Sequence, residues 1–127
     1  GNAPAGLHPA AGGDGTLACS GDMLLEALAG CAGVTLSAVA TALGITLRNA
    51  TVRAEGDLDF RGTLGVDKTV PVGFSAIRLI FEIDADSTRE ELERLIAMSE
   101  RYCVVLQTLT KGVALTATLN AHETVTA

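Results

Sequence analysis

The sequence is poor in aromatic and basic residues. Of its 127 residues, three are Phe, one is Tyr and none is Trp, although 48% are hydrophobic. We therefore expect a core built from Ala, Val, Leu and Ile. Nine Lys and Arg stand against fifteen Asp and Glu, which leaves a net charge of −6. A surface that binds nucleic acid needs clustered Lys and Arg, so this balance argues against a nucleic-acid partner.

Cysteine and histidine are also scarce. Three cysteines without a CxxC pair argue against a disulfide scaffold, and two isolated histidines add no metal-ligand spacing. A reducing, cytoplasmic location fits this cysteine usage better than a secreted one. Residues 27–47 carry no charge, but their many small residues and Gly44 argue against a membrane span. We therefore expect no membrane partner, no metal and no cofactor.

The chain divides into a loop and one domain. Residues 1–21 contain six glycines and two prolines, which is loop composition, and residues 22–127 form the predicted single domain. A helix is expected from about Asp22 to Leu43, capped by Ser20 or Asp22 and ended by Gly44. Because no face of this helix is polar, we expect it to be buried on all sides.

The remaining pattern predicts an α+β fold with the order helix, strand, strand, helix, strand. Strands are expected at residues 45–58, with a bulge near Asn49, and at 75–83, with a turn-rich connection between them. A second helix should begin after Ser87 or Thr88, because each precedes a Glu at the capping-box distance. Its apolar stripe, which includes Tyr102 and Cys103, runs on to Leu106. Residues 113–120 alternate as a last strand.

Three strands are too few to cover an entirely apolar helix. A monomer would leave part of the helix in water, and pairing two copies across a two-fold axis removes that surface. The small residues Ala27, Gly30, Ala32 and Gly33 would allow two such helices to approach closely. We therefore predict an obligate homodimer with an interface of about 2,000 Å² or more.

Two cysteines lie in apolar helical segments. Cys31 is in the first helix and Cys103 is in the second, beside Arg101, and 72 positions separate the two cysteines. If the fold brings the two sulfurs together, they form a buried dithiol next to an arginine, which is a candidate redox site. The alternative is that both pack as small hydrophobic side chains. Cys19 has no such context and is interpreted as incidental.

Two motifs resemble those of the osmotically inducible protein C / organic hydroperoxide resistance (OsmC/Ohr) family. The segment Asp22-Met-Leu-Leu-Glu-Ala-Leu-Ala-Gly-Cys31-Ala-Gly-Val-Thr-Leu36 is similar to the family's carboxylate, leucine run, cysteine and Thr-Leu pattern. Arg101-Tyr-Cys103-Val-Val resembles its Arg-Tyr-Cys-Pro-Val. The resemblance covers roughly residues 20–119. It implies an OsmC-like fold with central buried helices wrapped by antiparallel sheet in an intertwined homodimer.

The resemblance also implies a function, that of a thiol-dependent peroxidase acting on organic hydroperoxides. By position, Cys31 would attack the peroxide, Cys103 would form a disulfide with the resulting sulfenic acid, and a dithiol reductant would reset the pair. Asp22, nine positions before Cys31, matches the family's carboxylate and is the third candidate site residue. Asp22 is equally interpretable as an acidic residue favoured at a helix N-terminus.

The chain departs from the family pattern at two points. Family members use an Arg from the N-terminal region to hold the thiolate, and this chain has no Arg before Arg48. Val104 also stands where the family usually has Pro. The alternative function is therefore a non-catalytic OsmC-like dimer that binds a small apolar ligand.

Overall fold

The computed structural model describes residues 3–16 and 19–122. The described part has an α+β architecture, as the sequence predicted. After a 3₁₀ turn at Pro9–Ala11, the regular elements follow in this order: α1 (Ser20–Leu43), β1 (Leu47–Asp57), α2 (Phe60–Thr63), β2 (Ala76–Ala85), α3 (Arg89–Tyr102) and α4 (Val104–Lys111).

Helix α1 is the central element. It begins two residues earlier than predicted, and Cys19 at its N-cap makes no side-chain capping hydrogen bond. Gly44 ends it in the left-handed conformation, with φ 72°, as expected for a glycine C-cap. Burial on all sides, which was predicted with a second copy in place, is not reached within the single chain. One face is buried, while Val34 on another face is 74% exposed, because the chain covers α1 from one side only.

The sheet has two antiparallel strands in the described part of the chain. Pairing runs from Leu47 opposite Ala85 to Asp57 opposite Ala76, with an irregularity between Leu47 and Asn49 where the sequence predicted a bulge. The predicted inward face is confirmed, since Ile77, Leu79, Phe81 and Ile83 all pack against the core. Exposed ion pairs cover the outer face, for example Arg48–Asp84 at 2.6 Å.

The core consists of two apolar clusters along α1. The first, here called the Leu36 cluster, contains the buried residues Leu36, Val39, Ala40 and Leu95. The second, here called the cysteine cluster, lies nearer the N-terminus of α1 and contains the buried residues Leu28, Ala32 and Cys103. Ala32 is thus buried within its own chain, which removes it from the helix face that was predicted to meet a second copy.

Helix α3 begins as predicted but ends early. Thr88 is the N-cap, and its hydroxyl accepts a hydrogen bond from the Glu91 N–H at 3.1 Å. The expected continuous helix to Leu106 was wrong, because Cys103 has an extended backbone with φ −78° and ψ 111°. The chain therefore leaves the helical path at Cys103, and Tyr102, expected on the buried stripe, is 57% exposed.

The predicted last strand is not formed. Residues 112–122 have no regular secondary structure, and the apolar side chains Val113, Leu115 and Leu119 are 69–86% exposed. A strand needs a neighbouring strand to pair its backbone groups, and in this single chain residues 112–122 pair with neither β1 nor β2.

Helix α1 is long and apolar enough to cross a membrane by length and composition, with a mean hydropathy of 1.7. The core helix of a folded domain has the same properties. Since α1 supplies five buried residues to the two clusters, we interpret it as the core helix.

Candidate functional site

The cysteine cluster brings the two predicted site cysteines into one apolar environment. Cys103 is 1% exposed and lies at the break between α3 and α4. Cys31, in the middle of α1, is partly buried and packs against the same group of side chains. All three cysteines of the chain are free thiols. The site is therefore a reduced pair with one reachable thiol and one covered thiol.

The N-terminus of α4 points into this pair. The first N–H groups of any helix lack partners within the helix and need another acceptor. Cys103, the N-cap residue, supplies no side-chain capping bond to them. The side chain of Val105 packs in the same cluster as Cys31, so the first turn of α4 lies close to this thiol. The helix break thus places peptide donors, as well as Cys103, beside Cys31.

These contacts lower the pKa of Cys31 below its ordinary value. The hydrogen bond from the Val105 N–H is the main cause, and the Cys103 thiol, the Val104 N–H and the Thr35 hydroxyl act in the same direction. Burial opposes them, since a low-dielectric environment disfavours the charged form. The four groups that favour the thiolate are all uncharged, and two of them belong to the first turn of α4.

The pKa of Cys103 moves the other way. Burial is the main cause that raises it, and the neighbouring Cys31 raises it further. Burial thus disfavours the thiolate form of Cys103. The two thiols therefore lie in environments that shift their pKa values in opposite directions.

Asp22 and Arg101 lie apart from this chemistry. Asp22 is exposed in the first turn of α1, where it lines a shallow groove with Arg53. Nine residues of helix place it about 14 Å along the axis from Cys31. The guanidinium of Arg101 lies over the Tyr102 ring, 5.6 Å from its centroid. Neither side chain is among the groups that shift the pKa of Cys31 or Cys103 in the described part of the chain.

An open groove of about 600 Å³ borders the cysteine cluster. Leu28, one turn before Cys31, lines it from α1, and Leu106, three residues after Cys103, lines it from α4. Phe74, Ile77 and Leu79 add apolar surface, and Glu100 adds a carboxylate at its border. The groove can hold an apolar molecule next to Leu28 and Leu106, and neither cysteine is among its lining residues.

A metal site is not supported by the residues that the structure describes. No group of three or more His, Cys, Asp or Glu side chains lies close enough to hold an ion within residues 3–16 and 19–122. The chemistry available at the site is that of the two thiols and the surrounding hydrogen-bond donors.

Sequence reasoning missed the peptide donors of α4. A continuous helix through Cys103 would have paired the N–H groups of Val104 and Val105 with carbonyls one turn earlier. The available signal was Val104 at the position where the family motif has Pro, since Pro is favoured at the first position of a helix. That signal would have indicated a new helix start after Cys103.

The comparisons with known proteins agree with this architecture. Residues 13–118 match the family model described as OsmC-like protein. A crystal structure of an OsmC-like protein from Mycoplasma pneumoniae is 26% identical, with a TM-score of 0.65, and the alignment covers 77% of this chain and 65% of that one. This chain thus spans slightly less than two thirds of that protein.

Two further solved structures share the fold. An organic hydroperoxide resistance protein OsmC from Legionella pneumophila, also described as a predicted redox protein, is 20% identical with a TM-score of 0.65. The alignment covers 82% of this chain and 70% of that one. An OsmC-like hydroperoxide resistance protein from a Jannaschia species is 19% identical with a TM-score of 0.58, covering 77% and 63%. No curated protein matches the chain.

Proposed function

Since the chain belongs to the OsmC-like family, we propose that it is a thiol-dependent peroxidase that reduces organic hydroperoxides through Cys31 and Cys103. The observation that carries the proposal is the packing of Cys31 and the buried Cys103 in one apolar cluster. The opposite directions of the two thiol pKa shifts support it. The names of the Legionella and Jannaschia relatives, both hydroperoxide resistance proteins, support the same reaction class.

The reaction proceeds in three balanced steps. The Cys31 thiolate attacks the terminal oxygen of the hydroperoxide, the O–O bond breaks, and the alkoxide leaves and takes up a proton to become an alcohol. Cys31 is now a sulfenic acid. Cys103 loses its proton and attacks the Cys31 sulfur, which forms the disulfide and releases hydroxide, protonated to water. An external dithiol then reduces the disulfide by exchange and is itself oxidised.

The groove that borders the cysteine cluster favours apolar substrates. An alkyl chain lying along Leu28, Phe74 and Leu106 would leave water, and each buried methylene contributes about 0.8 kcal/mol. We therefore expect alkyl or lipid hydroperoxides to be reduced more efficiently than hydrogen peroxide. Asp22 takes no part in these steps, because it lies apart from both thiols.

The decisive experiment identifies which cysteines a hydroperoxide oxidises. The reduced protein is treated with one equivalent of tert-butyl hydroperoxide, and mass spectrometry then identifies the modified cysteines. We expect a Cys31–Cys103 disulfide in the wild type, and a Cys31 sulfenic acid that dimedone traps in Cys103→Ser. Cys31→Ser should not consume peroxide, whereas the control Cys19→Ser should behave as the wild type. Unchanged peroxide consumption by Cys31→Ser would refute the proposal.

We also propose that the chain acts as a homodimer in the cytoplasm. Val34 is 74% exposed on a face of α1 that carries the small exposed residues Ala27 and Gly30. Residues 112–122 have no regular secondary structure, with Leu115 and Leu119 more than 80% exposed, and β1 and β2 each have an open edge. A second copy would cover these surfaces. Free thiols throughout the chain suit a reducing compartment.

Light scattering at low micromolar concentration tests the assembly. A mass twice that of the chain is expected for the wild type. Val34→Glu would place a charge on the α1 face and should shift the protein toward monomer. Val66→Glu is the matched control, because it makes the same change at a valine that is also 74% exposed but lies between α2 and β2, and it should remain a dimer. A folded wild-type monomer at this concentration would contradict the proposed assembly.

A further inference from the structure

We propose that Gln107 is a positioning residue for the second step of the reaction, in which Cys103 attacks the oxidised Cys31. Its side chain ties α4 to α3 across the helix break and so fixes the place of Cys103 in the cysteine cluster. The inference deepens the proposed function and rests on it, because Cys103 has a task only when Cys31 is oxidised.

The helix break changes the partner of one carbonyl of α3. The helix ends at Tyr102, and Cys103 has an extended backbone with ψ 111°. In a continuous helix, the Val104 N–H would donate a hydrogen bond to the Glu100 carbonyl, four residues earlier. Here the side-chain amide of Gln107 donates to that carbonyl, at 2.9 Å. One side chain thus stands in for the backbone hydrogen bond that the break removes.

Gln107 holds the chain on both sides of Cys103. Its backbone N–H donates to the Cys103 carbonyl at 3.0 Å, which makes that carbonyl part of the first turn of α4. Its side chain reaches Glu100, three residues before the cysteine, in the last turn of α3. The φ and ψ angles of Cys103 set where its side chain lies. These two hydrogen bonds constrain both angles, because they join the segments before and after the cysteine.

Helix α4 is too short to be positioned by its own stability. It has eight residues, and isolated helices of this length are marginal in water. Val105 and Leu106 pack in the cysteine cluster and fix one side of the helix. The Thr108 hydroxyl donates to the Val104 carbonyl at 2.8 Å, a bond that stays inside α4. The Gln107 side chain, in contrast, bonds across the break, so these two side chains separate positioning from helix stability.

Position matters more for the second step than for the first. A disulfide forms only when the two Cβ atoms are about 3.5–4.5 Å apart, and a thiol held near that geometry reacts much faster than one that samples many positions. The first step is different, because Cys31 attacks an oxidant that diffuses to it. We therefore expect the loss of the Gln107 amide to slow the second step alone.

The experiment separates the two steps without a peroxide. The reduced full-length protein carrying Cys19→Ser is mixed with the aromatic disulfide dithiobis(nitrobenzoate). The Cys31 thiolate attacks one sulfur of the reagent, the S–S bond breaks, and one coloured thionitrobenzoate leaves. Cys103 then loses its proton and attacks the Cys31 sulfur, which forms the Cys31–Cys103 disulfide and releases the second thionitrobenzoate. Absorbance follows both phases, and Cys103→Ser should show only the first.

Two substitutions remove the donor and keep the length of the side chain. Gln107→Met keeps the apolar stem, and Gln107→Glu keeps the shape but presents a carboxylate that cannot donate. Each should slow the second phase by about threefold to tenfold, as expected for the loss of one hydrogen bond, and leave the first phase unchanged. The matched control, Thr108→Val, keeps the side-chain shape and removes the bond inside α4. It should leave both phases at their wild-type rates.

The inference has clear points of failure. A wild-type second phase in Gln107→Glu would overturn it, because the shape of the side chain and not its hydrogen bond would then suffice. Equal slowing by Thr108→Val, or no second phase in the Cys19→Ser protein, would also overturn it. A protein that completes both phases but does not reduce tert-butyl hydroperoxide would sink the proposed function and leave the role of Gln107 in disulfide formation standing.

Discussion

The two halves of α1 face different surroundings, although both are built from the same small and aliphatic residues. The Leu36 cluster includes Leu95, which is 0% exposed. One turn later, the buried Ser99 donates a hydrogen bond from its hydroxyl to the Leu95 carbonyl at 2.7 Å. The cysteine cluster instead contains Cys103, the residue between α3 and α4, and an open groove borders the cluster.

The two clusters therefore differ in what their backbones leave available for chemistry. Around Leu95, α3 is continuous, so its backbone N–H groups form hydrogen bonds within the helix and are not available to a neighbouring side chain. The break at Cys103 starts a new helix whose residues Val105 and Leu106 pack in the same cluster as Cys31, and the pKa of Cys31 is lowered there. We conclude that the Leu36 cluster mainly stabilises the fold, whereas the cysteine cluster carries the proposed reaction.

The largest predicted effect is a loss of stability in the Leu36 cluster. Leu95→Ala should destabilise the chain by about 2–5 kcal/mol, because it leaves a cavity in a fully buried site. Cys103→Ala removes only a sulfur and should cost about 1 kcal/mol, yet it should abolish disulfide formation with Cys31. Urea unfolding followed by circular dichroism measures both values. Equal destabilisation by the two substitutions would show that the two clusters do not differ in this way.

A smaller effect is predicted at the groove wall. A Cβ at Gly56 would lie 2.6 Å from the Phe74 ring and 3.3 Å from Leu25. Gly56→Ala should therefore displace Phe74, destabilise the chain by about 1–3 kcal/mol and raise KM for a long-chain hydroperoxide more than for tert-butyl hydroperoxide.

The matched control for that substitution is Gly73→Ala. A Cβ at Gly73 meets nothing within 4 Å, so this variant should keep the wild-type stability and KM. If both alanine variants behaved alike, Phe74 would not shape the groove.

The smallest effect concerns the pH dependence of the two thiols. The pKa of Cys31 lies below the ordinary value and that of Cys103 lies above it. As pH rises, Cys31 should therefore become reactive first, and Cys103 only above the ordinary thiol range. Iodoacetamide labelling of the reduced protein, resolved by residue, measures both profiles. Labelling of Cys103 at a lower pH than Cys31 would reverse the proposed roles.

Much of the fold could be predicted from local pattern. The Gly44 C-cap, the Thr88 N-cap and the inward face of β2 depend on neighbours within a few residues, and all three are confirmed. The last strand was predicted wrongly from alternation alone, because pairing depends on a neighbouring strand that the local pattern does not reveal.

The candidate site could be predicted only in part. The motifs around Cys31 and Cys103 selected both thiols, and the structure packs both in one cluster. The helix break was not foreseen, because the apolar stripe of α3 continues through Cys103 without interruption in the sequence. The start of a second helix at Val104, next to the cysteine cluster, therefore appeared only in the structure.

By itself, the sequence determined the elements and the reactive residue types, because helix caps, strand alternation and cysteine identity are local properties. The tertiary structure decided which face of α1 is buried and how the two thiols differ. Both outcomes depend on contacts between residues far apart in the chain, above all the approach of the first turn of α4 to Cys31. A pKa responds to donors and burial within a few ångströms, and only the packed chain brings those groups together.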